Sequence, residues 1–315
     1  MFKKSLKYFF SFHLLLILTV TIWIAWVYLR DPLQAIDKGV SVLNIASYQE
    51  TNEQIVSQKR QYIDYHLQAE SGENISVYCS FPDSIPVSGL PVMVIMGGLH
   101  IGRQNFSFIQ SPGNNILIIY DYPYSPEYWY EGTALTEIPK IRNAVLDVPS
   151  RLVWLLNWIR KQAWADSSRI SVLGYSFGAL FIPAVYRLAK SHELSLEAGI
   201  ICYGGADIRR MLYTNLKKNH EPARILLSYF AATAINAVEP AHHLPYLQNE
   251  FLLINGNKDR QIPEESWLLL HRLTPDPKTI LILDEGHMHP DKPALTQKLV
   301  KMSQDWLISK GIINP

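Results

Sequence analysis

The sequence predicts an α/β domain with a mostly parallel, doubly wound sheet and a small helical cap, preceded by one N-terminal transmembrane helix. From residue 91 onward, apolar runs typical of buried strands alternate with stretches of helical periodicity. This alternation is characteristic of parallel sheets with crossover helices. Hydrophobic residues make up 48% of the 315 residues, enough for a substantial core. The uncharged run over residues 8–29 is long enough to cross a bilayer as a helix.

The composition argues against recognition of nucleic acid by bulk charge. The formal net charge is +1, from 29 Lys and Arg against 28 Asp and Glu, whereas nucleic-acid-binding domains carry a basic excess. The two cysteines, Cys79 and Cys202, lie in apolar, strand-like runs. We therefore expect buried free thiols, with a pair brought together by folding as the alternative.

The charges that flank the apolar run indicate its orientation. Lysines at positions 3, 4 and 7 precede it, whereas Arg30 at its far end is followed directly by Asp31. The positive-inside bias predicts a cytoplasmic N-terminus and a domain on the non-cytoplasmic side, periplasmic if the cell is bacterial. We assign residues 1–30 to a basic cytoplasmic tip and a signal-anchor helix. A cleaved signal peptide and a buried core helix are the alternatives, but the run is long for a signal peptide and no A-x-A-like site closes it.

The next segment is mixed and polar over residues 31–59, which favours a juxtamembrane stalk, and we expect the main domain over residues 60–315. Residues 61–68 and 74–81 alternate in strand fashion around the turn residues Ser71 and Gly72. This pattern predicts an antiparallel hairpin at a sheet edge.

Two features of the main domain indicate a ligand site. The apolar strand 91–96 ends in Gly97 and Gly98, where the backbone can approach a ligand closely and present an oxyanion donor; a plain glycine turn is the alternative. Residues 208–247 interrupt the alternation with helical, apolar sequence. We interpret them as a cap insertion over the substrate pocket, with ordinary packing helices as the alternative.

The most informative stretch is a glycine-flanked serine between a strand and a helix. Gly174-Tyr175-Ser176-Phe177-Gly178 has the form G-x-S-x-G. A serine at the tip of such a turn has strained backbone geometry, and the residues two before and two after it must lack bulk. The amide of Phe177 would then point toward an oxyanion that forms on an acyl substrate. An ordinary strand-to-helix turn is the alternative.

A serine hydroxyl needs a base, which is usually a histidine oriented by a carboxylate. Asp259 and His287 lie in loops after the last two predicted strands, in the order Ser, Asp, His. Asp284 and Glu285 are alternative acids and His289 is an alternative base. Capping of the following helix is the alternative role for Asp259.

Histidines also raise the question of a metal site. The candidate metal ligands are His287, His289 and Asp284, and His242 and His243 are additional candidates. A metal site needs a third and fourth converging ligand, and the serine already explains His287. We expect neither a metal nor another cofactor.

These motifs together resemble the α/β-hydrolase superfamily, and in particular its esterase-like and dienelactone-hydrolase-like branches. The resemblance extends from about residue 61 to the C-terminus and implies Ser176 as nucleophile, His287 as general base and then acid, and Asp259 as the residue that orients the imidazole. It implies an oxyanion hole from the amides of Phe177 and Gly98, with Gly97 or Leu99 as the alternative second donor.

One position departs from the superfamily pattern, because Met96 precedes the glycines where many relatives carry histidine. This departure bears on which amide serves in the hole, which is built from backbone. We expect Leu99 and Tyr175, which neighbour the oxyanion hole and the nucleophile, to contact the substrate.

The sequence as a whole predicts a membrane-anchored serine hydrolase that cleaves a small-molecule ester or related acyl compound. A serine peptidase or an acyltransferase would use the same triad. A catalytically silent binding or scaffold protein with this fold is the alternative of another class.

Overall fold

A nine-stranded sheet forms the centre of the computed structural model, which describes residues 2–51, 54–98, 102–125, 128–129, 131–217, 220–289 and 291–315. The strand order is β1-β2-β3-β5-β4-β6-β7-β8-β9. The strands are β1 Leu43–Thr51, β2 Arg60–Ala69, β3 Asn74–Pro82, β4 Leu90–Met96, β5 Ile116–Tyr120, β6 Ala165–Tyr175, β7 Gly199–Cys202, β8 Phe251–Gly256 and β9 Lys278–Leu283.

The sheet is antiparallel at one end and parallel over the rest. β1, β2, β3 and β5 pair antiparallel in that order, and β2 and β3 form the predicted hairpin. From β5 through β4 to β9 all pairs are parallel. The carboxyl ends of these strands therefore lie along one edge, where the loops that carry the predicted site residues begin.

Helices cover both faces of the sheet, as the doubly wound prediction requires. On β4, Val92 and Val94 belong to one buried cluster with α3 and α4, whereas Met93 belongs to a second cluster with α8. This division follows from the two-residue period of a strand. The helices are α1 Phe2–Leu29, α2 Pro32–Ile36, α3 Ala134–Ile159, α4 Ile182–Ser191, α5 Ile208–Asn215, α6 Glu221–Ala234, α7 Glu264–Leu273 and α8 Pro293–Ser309.

The N-terminal helix α1 leaves the domain as an apolar rod. Its segment Ser11–Leu29 is long and apolar enough to cross a membrane, and none of it is buried within the protein. A signal sequence near an N-terminus has the same properties. α1 contacts the domain near its last turns, where the Trp23 ring stacks on that of Phe230 in α6.

The predicted stalk, residues 31–59, differs from the structure. Residues 43–51 form the edge strand β1, which pairs with β2 from Leu43 to Thr51. The preceding turn is also bound to the domain, because Ser150 of α3 donates to the Ile36 carbonyl and Trp154 donates to that of Gly39. Backbone pairing and these two side-chain bonds hold the segment although few of its side chains are buried.

The two cysteines are free thiols in the core, as predicted. Cys79 belongs to the cluster on one face of the sheet and Cys202 to the cluster on the other. Burial raises the pKa of each thiol. Both are therefore inert toward reagents in solution.

Candidate active site

The strand-to-helix turn after β6 holds Ser176 in a left-handed conformation, with φ of 53°. The flanking glycines are required by close approach. A Cβ on Gly174 would lie 2.4 Å from the Ile182 side chain, and one on Gly178 would lie 2.3 Å from the Met96 carbonyl oxygen. The serine is thus presented on a strained turn that tolerates no bulk two residues to either side, which is the physical condition behind the G-x-S-x-G pattern.

The structure brings the three residues of the predicted triad together. Ser176 Oγ lies 2.7 Å from His287 Nε2, and His287 Nδ1 lies 2.6 Å from Asp259 Oδ2. The Asp259 carboxylate is almost fully buried, with a 1% exposed side chain. Its second oxygen accepts hydrogen bonds from the backbone amides of Gln261 and Ile262. The carboxylate therefore stabilises its own turn and orients the imidazole at the same time.

The alternative acids and base lie elsewhere in the described structure. Asp284 forms an exposed ion pair with Lys258, and Glu285 pairs with Lys298. His289 lines a cavity beside Ser176, but its Nδ1 pairs with the exposed Asp291. None of these groups bonds to the serine or to His287.

A hydrogen-bonded peptide joins the end of β4 to the serine turn. The Gly97 carbonyl accepts from the Gly178 amide at 3.1 Å and from the Tyr122 hydroxyl at 2.7 Å. In a trans peptide the N–H points away from the carbonyl, so the Gly98 N–H points away from both donors. Gly98 also lies beside the serine, because a Cβ on it would be 3.9 Å from the Ser176 Cβ.

The amides of Gly98 and Phe177 remain the predicted oxyanion donors. Leu99, expected to contact substrate or to donate in place of Gly98, lies outside the described residues.

The sequence motifs did not indicate the position of Tyr122. The residue is buried, with 6% exposure, and its ring packs edge-on against that of Phe177 at 5.1 Å. It therefore contacts Phe177 and, through the Gly97 carbonyl, the peptide whose N–H belongs to Gly98. Tyr122 lies two residues after the end of β5, and no motif in the sequence marks that position as part of the site.

Tyr203, at the end of β7, is a second residue that sequence reasoning missed. Its backbone is left-handed, with φ of 55°, and its ring lies edge-on to the His287 imidazole at 5.4 Å. Its hydroxyl has no hydrogen-bond partner among the described residues, and the ring supports the imidazole by packing.

Two apolar cavities meet at the serine and both are lined by Ser176, Gln261 and His287. The first, of about 240 Å³, lies between the sheet and α8, and its wall includes the predicted substrate-contact residue Tyr175. The second, of about 340 Å³, lies between α3 and the helices α5 and α6 of the predicted cap insertion. An acyl compound at the serine thus has an apolar compartment on each side.

The histidines considered as metal ligands have ordinary structural contacts. His242 bonds to the Asn236 side chain and His243 to the Ala237 carbonyl. Among the described residues, no group of three or more His, Cys, Asp or Glu side chains has the arrangement of a metal site.

Comparison with known proteins shows likeness in structure alone. No protein-family model and no curated protein matches the sequence. The acetyl xylan esterase of Paenibacillus sp. R4 is 13% identical with a TM-score of 0.61, over 89% of this chain and 94% of that one. Acetyl xylan esterase 1 of Thermoanaerobacterium sp. JW/SL YS485 is 12% identical with a TM-score of 0.59, over 86% and 91%.

A peptidase matches as well, though over only part of its length. The Pyrococcus horikoshii acylaminoacyl peptidase is 13% identical with a TM-score of 0.56, over 86% of this chain and 50% of the peptidase. The chain therefore has the fold of the α/β-hydrolase superfamily, as its motifs indicated.

Proposed function

We propose that this protein is a serine hydrolase that cleaves an ester through an acyl-enzyme intermediate. The observation that carries the proposal is the continuous set of contacts from Ser176 through His287 to the buried Asp259. A structural turn or a scaffold has no need of a strained serine hydrogen-bonded to an imidazole that a buried carboxylate orients.

Each group has a proposed role in the reaction. Nε2 of His287 removes the hydroxyl proton as Ser176 Oγ attacks the carbonyl carbon, and the amides of Gly98 and Phe177 stabilise the resulting oxyanion. The imidazolium then protonates the leaving alkoxide as its bond to the carbonyl carbon breaks. Water, deprotonated by the same imidazole, releases the acid and restores the serine.

The two cavities indicate the class of ester. Leu117, Ile119 and Leu173 are among the apolar residues of the first cavity, and Ile141, Val145 and Leu212 are among those of the second. Such walls favour aliphatic or aromatic groups on both sides of the scissile bond. We therefore propose a lipophilic ester rather than the acetyl xylan that the names of two structural neighbours print.

The N-terminal helix α1 is proposed to anchor the enzyme in a membrane, with the N-terminus cytoplasmic and the hydrolase domain on the other side. The support is the apolar length of Ser11–Leu29 and the lysines that precede it. Carbonate extraction of membranes, with N-terminal sequencing of the retained protein, tests the anchor. A soluble product that begins beyond residue 30 would identify a cleaved signal peptide instead.

Labelling with a fluorophosphonate tests the activity. The full chain should react at Ser176, and Ser176→Ala should abolish the label while leaving the thermal unfolding midpoint unchanged. An ester series of increasing acyl length should then show turnover that rises with apolar character.

The alternatives give different results in this experiment. Labelling with turnover of peptides alone would indicate a peptidase, and acyl transfer to an added alcohol in preference to water would indicate an acyltransferase. A folded chain that takes up no label and cleaves no ester would indicate a catalytically silent binding protein.

A further inference from the structure

The cap helix α6 exposes several large apolar side chains. Its buried side chains include Ser228 and Thr233, whereas the large exposed ones are apolar: Ile225, Leu226, Leu227, Tyr229 and Phe230. We call these five side chains the α6 face. Residues 225–235 carry no charge at all. A helix beside water places its apolar stripe inward, so the α6 face is suited to an apolar environment.

The α6 face is continuous with the end of the membrane helix. In α1 the half-buried positions near the domain are Val20, Trp23, Ile24 and Val27, which form one stripe at helical spacing. Trp23 lies against Phe230 with the two rings stacked at 6.4 Å. The last turns of α1 thus pack beside α6 rather than standing clear of the domain.

This contact sets the depth of α6 relative to the bilayer. Residues 8–29 span about 33 Å as a helix, close to the hydrocarbon thickness of about 30 Å. Trp23 precedes Leu29 by six residues, so it lies roughly 9 Å below the far end of the apolar segment. In-plane amphipathic helices bury their apolar faces to a depth of about 5–10 Å. A helix packed on Trp23 is therefore at the depth of the acyl-chain boundary.

Two arginine side chains lie over aromatic rings of α1 and α6. The Arg30 guanidinium lies over the Trp26 ring at 5.3 Å, and that of Arg209 lies over Tyr229 at 4.9 Å. Aromatic rings with a cation above them are typical of the headgroup layer, where the ring contacts lipid and the charge contacts phosphate.

The second cavity opens along the same helix. Ala231 of α6 and Ile138 of α3 both line that cavity and are both exposed. This exposed part of the cavity wall is thus next to the α6 face. A molecule that leaves the lipid layer there would reach Ser176 through apolar surroundings.

We propose that the α6 face lies in the interfacial layer of the bilayer that α1 spans, so that the second cavity receives a lipid-borne ester directly from the membrane. This inference rests on the proposed membrane anchor and hydrolase activity. The bilayer is the occupant of the α6 face because α1, which packs against it, is the segment that enters lipid.

Depth-dependent quenching tests the position of α6 in the full chain. Cys79 and Cys202 are buried, so a single introduced cysteine can be labelled selectively with an environment-sensitive fluorophore. The variants are Leu226→Cys on the α6 face, Leu16→Cys in α1 and Val87→Cys, which is fully exposed before β4 at the opposite edge of the sheet. Each is reconstituted in phosphatidylcholine–phosphatidylglycerol vesicles with and without nitroxide-labelled lipid.

We expect blue-shifted, quenchable emission at positions 16 and 226 and unquenched, water-like emission at position 87. Quenching at 16 without quenching at 226 would overturn the docking of α6 while leaving the anchor intact. A blue shift at 226 without quenching would mean that a second protein chain covers the α6 face. Absence of quenching at 16 would overturn both the anchor and the docking.

An activity measurement separates this inference from the proposed chemistry. Leu226→Glu should lower hydrolysis of an ester embedded in the vesicles roughly tenfold, with Val87→Glu as the matched control. Hydrolysis of a soluble short-chain ester and fluorophosphonate labelling should stay at wild-type levels, because Leu226 does not line either cavity. If Leu226→Glu hydrolyses the embedded ester as fast as the wild-type chain does, entry of the ester from the lipid is refuted. If the wild-type chain does not react with the fluorophosphonate, the proposed hydrolase activity itself is refuted.

Discussion

Replacing Tyr122 with phenylalanine removes one hydroxyl and tests whether the Gly97 peptide aligns the oxyanion hole. The hydroxyl donates to the Gly97 carbonyl at 2.7 Å. The Gly178 amide still donates to that carbonyl at 3.1 Å in the variant, so the peptide keeps one of its two bonds. The phenyl ring retains the edge-on contact with Phe177. The change is therefore confined to the orientation of one peptide.

The expected loss is moderate because the oxyanion donor itself remains. Removing such a donor outright costs about 2.7–4 kcal/mol in transition-state stabilisation, whereas one neutral hydrogen bond is worth about 0.5–1.5 kcal/mol. We expect a roughly tenfold fall in kcat for Tyr122→Phe, equivalent to about 1.4 kcal/mol. KM should not change, since the oxyanion forms only after the substrate is bound.

Tyr120→Phe is the matched control. Tyr120 is also fully buried, its ring is 5.9 Å from that of Tyr122, and its hydroxyl has no hydrogen-bond partner among the described residues. Steady-state hydrolysis of a short ester and the rate of fluorophosphonate labelling measure the effect in both variants. Unchanged kcat in Tyr122→Phe, or an equal fall in both variants, would refute the assignment of Tyr122 as a positioning residue.

Three further substitutions test separate parts of the structure. Asp259→Asn should lower kcat by about 10²- to 10⁴-fold, because the amide no longer fixes the imidazole tautomer, whereas Asp284→Asn should be near wild type in the same assay. Gly178→Ala should lower both the thermal unfolding midpoint and the labelling rate, because the added Cβ would lie 2.3 Å from a backbone carbonyl oxygen. Gly286→Ala is the control and should show neither effect, because a Cβ there would lie no closer than 3.6 Å to another atom. Burial lowers the pKa of His243 from its usual 6.5 to about 4, so the unfolded chain binds a proton that the folded chain does not, and the free energy of unfolding should decline as the pH falls from 6.5 to 4. His243→Gln should make that decline shallower in urea titrations across this range, and an unchanged slope would contradict the assignment.

The site was predictable to the extent that its chemistry requires particular residues at fixed spacings. Gly174 and Gly178 are required by close packing against the next helix and β4, so the motif reports real contacts. Asp259 and His287 were found because parallel strands end at one edge and a serine needs a base and an orienting acid. In the structure the two residues contact each other, and His287 contacts Ser176. Their catalytic roles are proposals that the labelling and substitution experiments test.

The edge strand β1 was not predictable because its side chains carry little hydrophobic signal. From Leu43 to Thr51 only the first residue is buried, and the exposed ones include Ile45 and Tyr48. Its position comes from backbone bonds to β2, which any sequence without proline can form. A polar, mixed segment therefore appeared to be a stalk until its pairing was known.

Tyr122 and Tyr203 were missed for a different reason. Both act through long-range contacts, Tyr122 with the Gly97 carbonyl and Tyr203 with the His287 ring. Neither follows a recognisable spacing, because the distance in sequence between a strand end and its partner depends on loop lengths. Only the assembled sheet edge places these rings beside the triad.

The Gly97 peptide also explains how a strained serine and an oxyanion donor stay in register. β4 and β6 are adjacent and parallel, and Met96 pairs with Gly174, so the two strand ends arrive side by side. The bond from the Gly178 amide to the Gly97 carbonyl then ties the turn after β6 to the turn after β4. The left-handed backbone of Ser176 is sustained by packing on the glycine side and by this bond. The proposed nucleophile and the proposed oxyanion donor are therefore linked by a hydrogen bond, so a change that loosens either turn should lower kcat before it alters substrate binding.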